Sequence, residues 1–178
     1  MKKLAALFLF STLSSAVVFA ADRIFTNPNP DAALKQLFPN AVLTPLSGTP
    51  LHFTAYASDP VKNPSQTPLG YAFWTTDVVP SEHGYHGPIH LLVGMRLDGT
   101  LTGVVCDYHS EPYGYFSVEP PAFAAQFANK SIHDRFIVGA DVNAVSRASL
   151  SMNSATRAIR DSSRMVARSL LSPDGVKK

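Results

Sequence analysis

Apolar residues are spaced in three different ways along this chain, and each spacing names a kind of element. The first spacing is a nearly unbroken run at the start. Lys2 and Lys3 precede apolar residues from Leu4 to Phe10, Ser11, Thr12, Ser14 and Ser15 dilute the run, and Ala20 and Ala21 close it. A charged start, a short apolar middle and small residues at the end predict a secretory signal over residues 1–20, cleaved near Ala20. The run is too short and too rich in serine for a membrane anchor, which needs roughly 20 mostly apolar residues.

The second spacing is the near alternation of strands. Strands are expected at residues 51–57, 69–79, 89–97 and 101–108, of which 69–79 is rich in aromatic and β-branched side chains. Asp98 and Gly99 separate the last two and predict a hairpin, since glycine tolerates the positive φ of such a turn. The third spacing is helical. Ala32, Ala33, Leu34, Leu37 and Phe38 follow a turn at 27–31, with Asp31 as N-cap and Pro39 and Asn40 as the stop. Pro120 and Pro121 open a helix over 122–129. A long helix over 153–170 puts Ala155, Ala158, Ile159, Ser162, Val166 and Leu170 on one face. Arg157, Arg160, Arg164 and Arg168 fall on the other, as a solvated face. Residues 59–68 and 81–88 are loops, and 132–138 fits neither spacing. Strands come first and helices flank them, so the fold class is α+β, a mainly antiparallel sheet flanked by helices in one domain over 21–178.

Charge removes one class of partner. The chain has 15 Lys and Arg against 13 Asp and Glu, and loss of Lys2 and Lys3 with the signal leaves 13 of each. Nucleic acid is therefore not an expected partner, because phosphate backbones are bound through a basic excess. The lone Cys106 permits no internal disulfide, so an exported form relies on its core. Cys106 itself reads as a small buried hydrophobe.

Candidate chemistry is sparse. His83 and His86 share a loop and His90 follows, but no Cys or carboxylate cluster accompanies them, so no metal is expected. No nucleophile elbow, Walker loop or dinucleotide-binding glycine loop is present. What stands out is a group of hydroxyls at the start of the last helix: Ser146, Ser149, Ser151 and Ser154. Free amides and a partial positive charge make a helix start favourable for a phosphate, and Arg147 can add a charge-assisted contact. An ordinary serine-rich cap is the alternative.

The run Asn143-Ala144-Val145-Ser146-Arg147-Ala148-Ser149 resembles the motif Asp-x-x-Ser/Thr-Gly-Ala-Thr of the periplasmic FMN-binding domain family. That family includes domains of the nitrous-oxide-reductase regulator NosR and the electron-transport subunits RnfG and NqrC. Ser146 and Ala148 match outright. Ser149 stands where the family joins FMN through its phosphate to Thr. Asn143 replaces the leading Asp and Arg147 replaces the Gly, a change similar to that of the NosR-like branch. Residues 69–80, the loop at 84–89, the hairpin at 98–104 and His109-Ser110-Glu111-Pro112 also resemble that branch.

The resemblance implies a periplasmic electron-transfer flavoprotein rather than an enzyme with its own small substrate. Its FMN would be a phosphoester of Ser149, held by Ser146, Arg147, Ala148, Ser151 and the amides of the helix start. Tyr85, His86, His109 and Glu111 would border the ring. The implied partners are an FMN transferase for loading and a membrane electron-transport complex or periplasmic cytochrome. The rival reading is a regulatory module of the same fold that acts through a membrane or maturation partner and holds FMN loosely or not at all.

Overall fold

The computed structural model describes residues 30–171. The expected signal peptide, and all but the end of the turn at 27–31, lie outside them. The chain runs α1 (Asp31–Leu37), β1 (Val42–Leu43), β2 (Phe53–Tyr56), β3 (Gly70–Trp74), α2 (Thr75–Val78), β4 (His90–Arg96), β5 (Leu101–Tyr108), α3 (Gly114–Ser117), α4 (Pro121–Ala125) and α5 (Ser149–Leu170). The five strands form one antiparallel sheet in sequence order, β1-β2-β3-β4-β5. The fold class is the α+β expected. None of the described helices is long and apolar enough to cross a membrane.

Alternation along the strands divides the core in two. Phe73, Leu91, Val93, Met95 and Leu101 face α5 and pack with Phe127, Met152, Ala155 and Ile159. Ala72, Trp74 and Leu92 point the other way and pack with Phe53, Ala55 and the α1 residues Leu34 and Leu37. Both faces of β4 are therefore covered, and only Arg96 of that strand is exposed. The hairpin at Asp98 and Gly99 forms as expected. Gly99 has φ +78°, Arg96 N–H donates to Thr100 O at 2.8 Å, and Asp98 Oδ1 accepts the Thr100 amide at 2.8 Å. Gly94 lets α1 approach, because a Cβ there would lie 2.2 Å from Thr102 Oγ1 and 3.0 Å from Leu37 Cβ.

Three expectations need correction. The strand expected over 69–79 ends at Trp74, and residues 75–78 turn into α2. Thr75 causes the change: its hydroxyl donates to Ile89 O at 3.3 Å and accepts the Leu91 amide at 3.2 Å, while its carbonyl accepts Val79 N–H. The helix expected over 122–129 spans only Pro121–Ala125 and is followed by turns. The last helix begins at Ser149, four residues before the expected start. Ala148 and Met152 are both buried and extend the apolar face by one turn, where serines obscure the pattern.

The arginine face of α5 is also less solvated than expected. Arg164 donates to Ile132 O at 2.9 Å and Asp134 O at 2.8 Å, clamping the irregular 132–134 segment. Asp141 organises the next stretch by accepting the amides of Phe136 and Ile137 and the Lys130 ammonium at 2.9, 2.6 and 2.9 Å. Burial opposes the charge on Asp141, but these donors outweigh it and hold the pKa at about 2. Clamp and carboxylate together deliver the chain to the start of α5.

Candidate functional site

Ser149 is the first residue of α5, and the residue before it anchors the turn. The Ala148 methyl is buried with Met152 one turn on. That leaves Ser149 and Leu150 facing outward, Leu150 with 62% of its surface exposed. No side chain caps the helix, so the serines do not act as the ordinary cap. The amides of Ser149, Leu150 and Ser151 have no hydrogen-bond partner among the described residues. The first turn carries no acidic residue. A helix of 22 residues therefore offers an anion three free donors and about half a positive charge.

Arg147 adds a backbone feature. Its φ is +68°, in the left-handed region. For a residue with a Cβ this costs roughly 1–2 kcal/mol. The FMN-binding motif has glycine at this position, and the conformation gives the reason: the chain must reverse here to present the next hydroxyl at the helix start.

A cleft of about 280 Å³ opens beside this turn, lined by Tyr85, Pro112, Tyr113, Arg147, Ala148, Ser149, Leu150 and Ser151. Its walls are largely aromatic and aliphatic, with Tyr85 63% and Tyr113 46% exposed. Large apolar side chains gathered at a concave surface beside a few polar groups suit a flat, mostly apolar ligand with a charged tail.

Of the nine residues expected at the site, Tyr85, Arg147, Ala148, Ser149 and Ser151 line this cleft, whereas Ser146, His86, His109 and Glu111 do not. Ser146 is exposed in the preceding turn. His86 stacks on Tyr85 with ring centroids 4.9 Å apart and planes at 17°. Glu111 is buried, and its carboxylate accepts the amides of Tyr85 and His86, each at 2.8 Å, and the Ser151 hydroxyl. Burial works against its charge, but these hydrogen bonds, from Ser151 first and then the backbone, hold its pKa below the usual value.

His109 faces elsewhere. Its Nδ1 accepts the Glu111 amide at 3.1 Å, so the ring proton sits on Nε2, which donates to Glu119 Oε1 at 2.9 Å. The ring lines a second cleft of about 250 Å³ with Cys106, Asp107, Tyr108 and Glu119. Among the described residues no group of His, Cys, Asp and Glu is arranged to hold a metal ion.

Pro112, Tyr113 and Leu150 were not expected at the site. Tyr113 lies two residues past Glu111, and Leu150 follows Ser149. An exposed leucine in the first turn of an otherwise polar helix start was the available signal.

Residues 84–163 match the family model of the FMN-binding domain. Over this segment the chain is similar to the FMN-binding domain family. The matched segment starts at Gly84 in the loop above Glu111 and ends within α5, so it holds every expected site residue and the whole cleft. None of the curated proteins matches the chain.

FMN fits the residues present. The uncapped amides of α5 and Arg147 suit a phosphate, and the Tyr85, Tyr113 and Leu150 walls suit a three-ring system. A bound flavin supplies exchange of one or two electrons. This chain's own part would be to hold the group: the helix start and Arg147 would take the phosphate charge, and Tyr85, Tyr113 and Leu150 would border the ring.

Proposed function

We propose that this FMN-binding domain is a periplasmic electron carrier that holds its flavin as a phosphoester on Ser149. The observation that supports this most is the pairing of an outward-facing Ser149 hydroxyl with uncapped amides beside an aromatic cleft. Forming the ester joins Ser149 Oγ to the phosphorus and removes the elements of water. A tethered flavin is not lost by diffusion outside the cytoplasm. An FMN transferase would load it, and a membrane electron-transport complex or a periplasmic cytochrome would exchange electrons with it.

The second reading, a regulatory module that holds FMN loosely or not at all, is favoured by Asn143. Where the motif has Asp, Asn143 is exposed, and its backbone N–H donates to Gln126 Oε1 at 2.6 Å. An uncharged side chain there weakens a recognition element for the transferase. One experiment separates the readings. The full chain is exported together with an FMN transferase and the intact protein is weighed. A mass gain of FMN less water that disappears in Ser149→Ala is the expected result. An unmodified, colourless wild-type chain sinks the carrier reading and leaves the module.

A further inference from the structure

Glu111 was expected beside the ring, yet it does not line the cleft, and both of its carboxylate oxygens accept hydrogen bonds. The two amides it accepts belong to the loop that carries Tyr85, and the hydroxyl it accepts belongs to the first turn of α5. One buried carboxylate thus joins the two walls of the cleft. The joint is tightly built on both sides. A Cβ at Gly84 would lie 2.6 Å from the Glu111 carboxyl carbon, so only glycine lets the loop settle onto it. The Glu111 amide in turn donates to His109 Nδ1, which fixes the backbone behind the carboxylate.

Little else can place Tyr85. Its ring is mostly exposed, and its stacking partner His86 belongs to the same loop and cannot attach it to the rest of the fold. The loop closes on itself through Gly84 N–H to Gly87 O at 2.7 Å, which shapes it without attaching it. Among the described residues its other polar link to α5 is the Arg157–Glu82 pair, a two-pronged contact at 2.6 and 3.2 Å with the arginine 45% and the glutamate 21% exposed. That pair joins α5 to the start of the loop, three residues before Tyr85, whereas the Glu111 bonds hold the Tyr85 amide itself and leave stranded donors when broken.

We propose that Glu111 is a positioning residue: through the Tyr85 and His86 amides and the Ser151 hydroxyl it sets the separation of Tyr85 from the start of α5, and so how closely the cleft shuts on a flavin ring. The proposal rests on the FMN reading for its ligand but not for its geometry. Glu111→Gln keeps the size of the side chain but replaces one acceptor oxygen by a donor, which opposes the donors already there.

The test is amide hydrogen exchange at Tyr85 and His86 in the full chain, combined with iodide quenching of flavin fluorescence in the FMN-loaded protein. Glu111→Gln is expected to speed exchange at both amides by about tenfold or more, as local opening becomes easier, and to raise quenching of the ring. Ser151→Ala is expected to do the same to a smaller extent, and it carries the test if Glu111→Gln does not fold. Unaltered exchange in the Glu111 and Ser151 variants overturns the proposal, as does faster exchange with a ring no more open to iodide. A wild-type chain that takes up no flavin overturns the FMN reading instead. The exchange rates then decide alone, faster exchange upholding the joint and unchanged exchange removing it.

Discussion

The two clefts bordered by residues 108–113 are built from opposite materials. The one beneath His109 collects Cys106, Asp107, Tyr108, His109 and Glu119, a set that on paper looks like chemistry. The one beside Ser149 holds a single charged side chain, Arg147, among tyrosines, a proline, a leucine, an alanine and two serines. Yet the first cleft has largely spent its polar groups. His109 is engaged at both ring nitrogens, and burial, reinforced by the charges of Glu119 and Asp107, pushes the Cys106 thiol up to about 12. The second cleft keeps three backbone amides and a hydroxyl uncommitted at a helix start. Titratable residues alone therefore do not mark a ligand site; uncommitted donors beside apolar walls mark it better.

Three measurements can break or sharpen that contrast. The largest effect is expected at Cys106. With its thiol near 12 rather than 9, the folded protein holds on the order of a thousandfold less thiolate. Iodoacetamide labelling at pH 8 should slow by about that factor relative to urea-unfolded chain; comparable rates would mean that the cleft beneath His109 is reactive after all. Next comes Gly114→Ala. A Cβ there would lie 1.9 Å from the His109 ring, so the ring or the start of α3 must move. A loss of about 2 kcal/mol is expected in urea unfolding, with the FMN mass gain on Ser149 unchanged. Loss of that mass gain would show that the two clefts are not independent.

The smallest effect is in acid. The pKa of Glu111 is held below its unfolded value, so its contribution to stability is present above the unfolded carboxylate pKa and fades as pH falls through the folded one. The gap in urea midpoint between wild type and Glu111→Gln should therefore be widest near neutral pH and narrow in acid as the carboxylate takes up its proton. A gap that stays constant with pH would show that the carboxylate charge does not hold the two walls of the Ser149 cleft.

Much of the fold can be read from local pattern. Alternation and a two-residue turn place β4, β5 and their hairpin, because strand pairing across Asp98 and Gly99 depends on neighbours in sequence. The helix start was misplaced by four residues because Ser149, Ser151 and Asn153 look like a cap and turn until Ala148 and Met152 are seen buried against the sheet. The motif at 143–149 drew attention to Ser149 at the head of that helix, and it could do so because a reversed turn and a helix start are local structures. The sequence by itself thus determined β2 to β5 in outline, the hairpin, the body of the last helix and the serines near its head. Only the tertiary structure decided which side chains meet around that hydroxyl. It sent His109 to another cleft, drew Tyr113 and Leu150 in, and buried Glu111 beneath Tyr85. The physical reason is separation along the chain: Glu111 and Ser151 lie 40 residues apart, and no local pattern records a contact that forms only when the sheet, the loop above it and α5 are packed together.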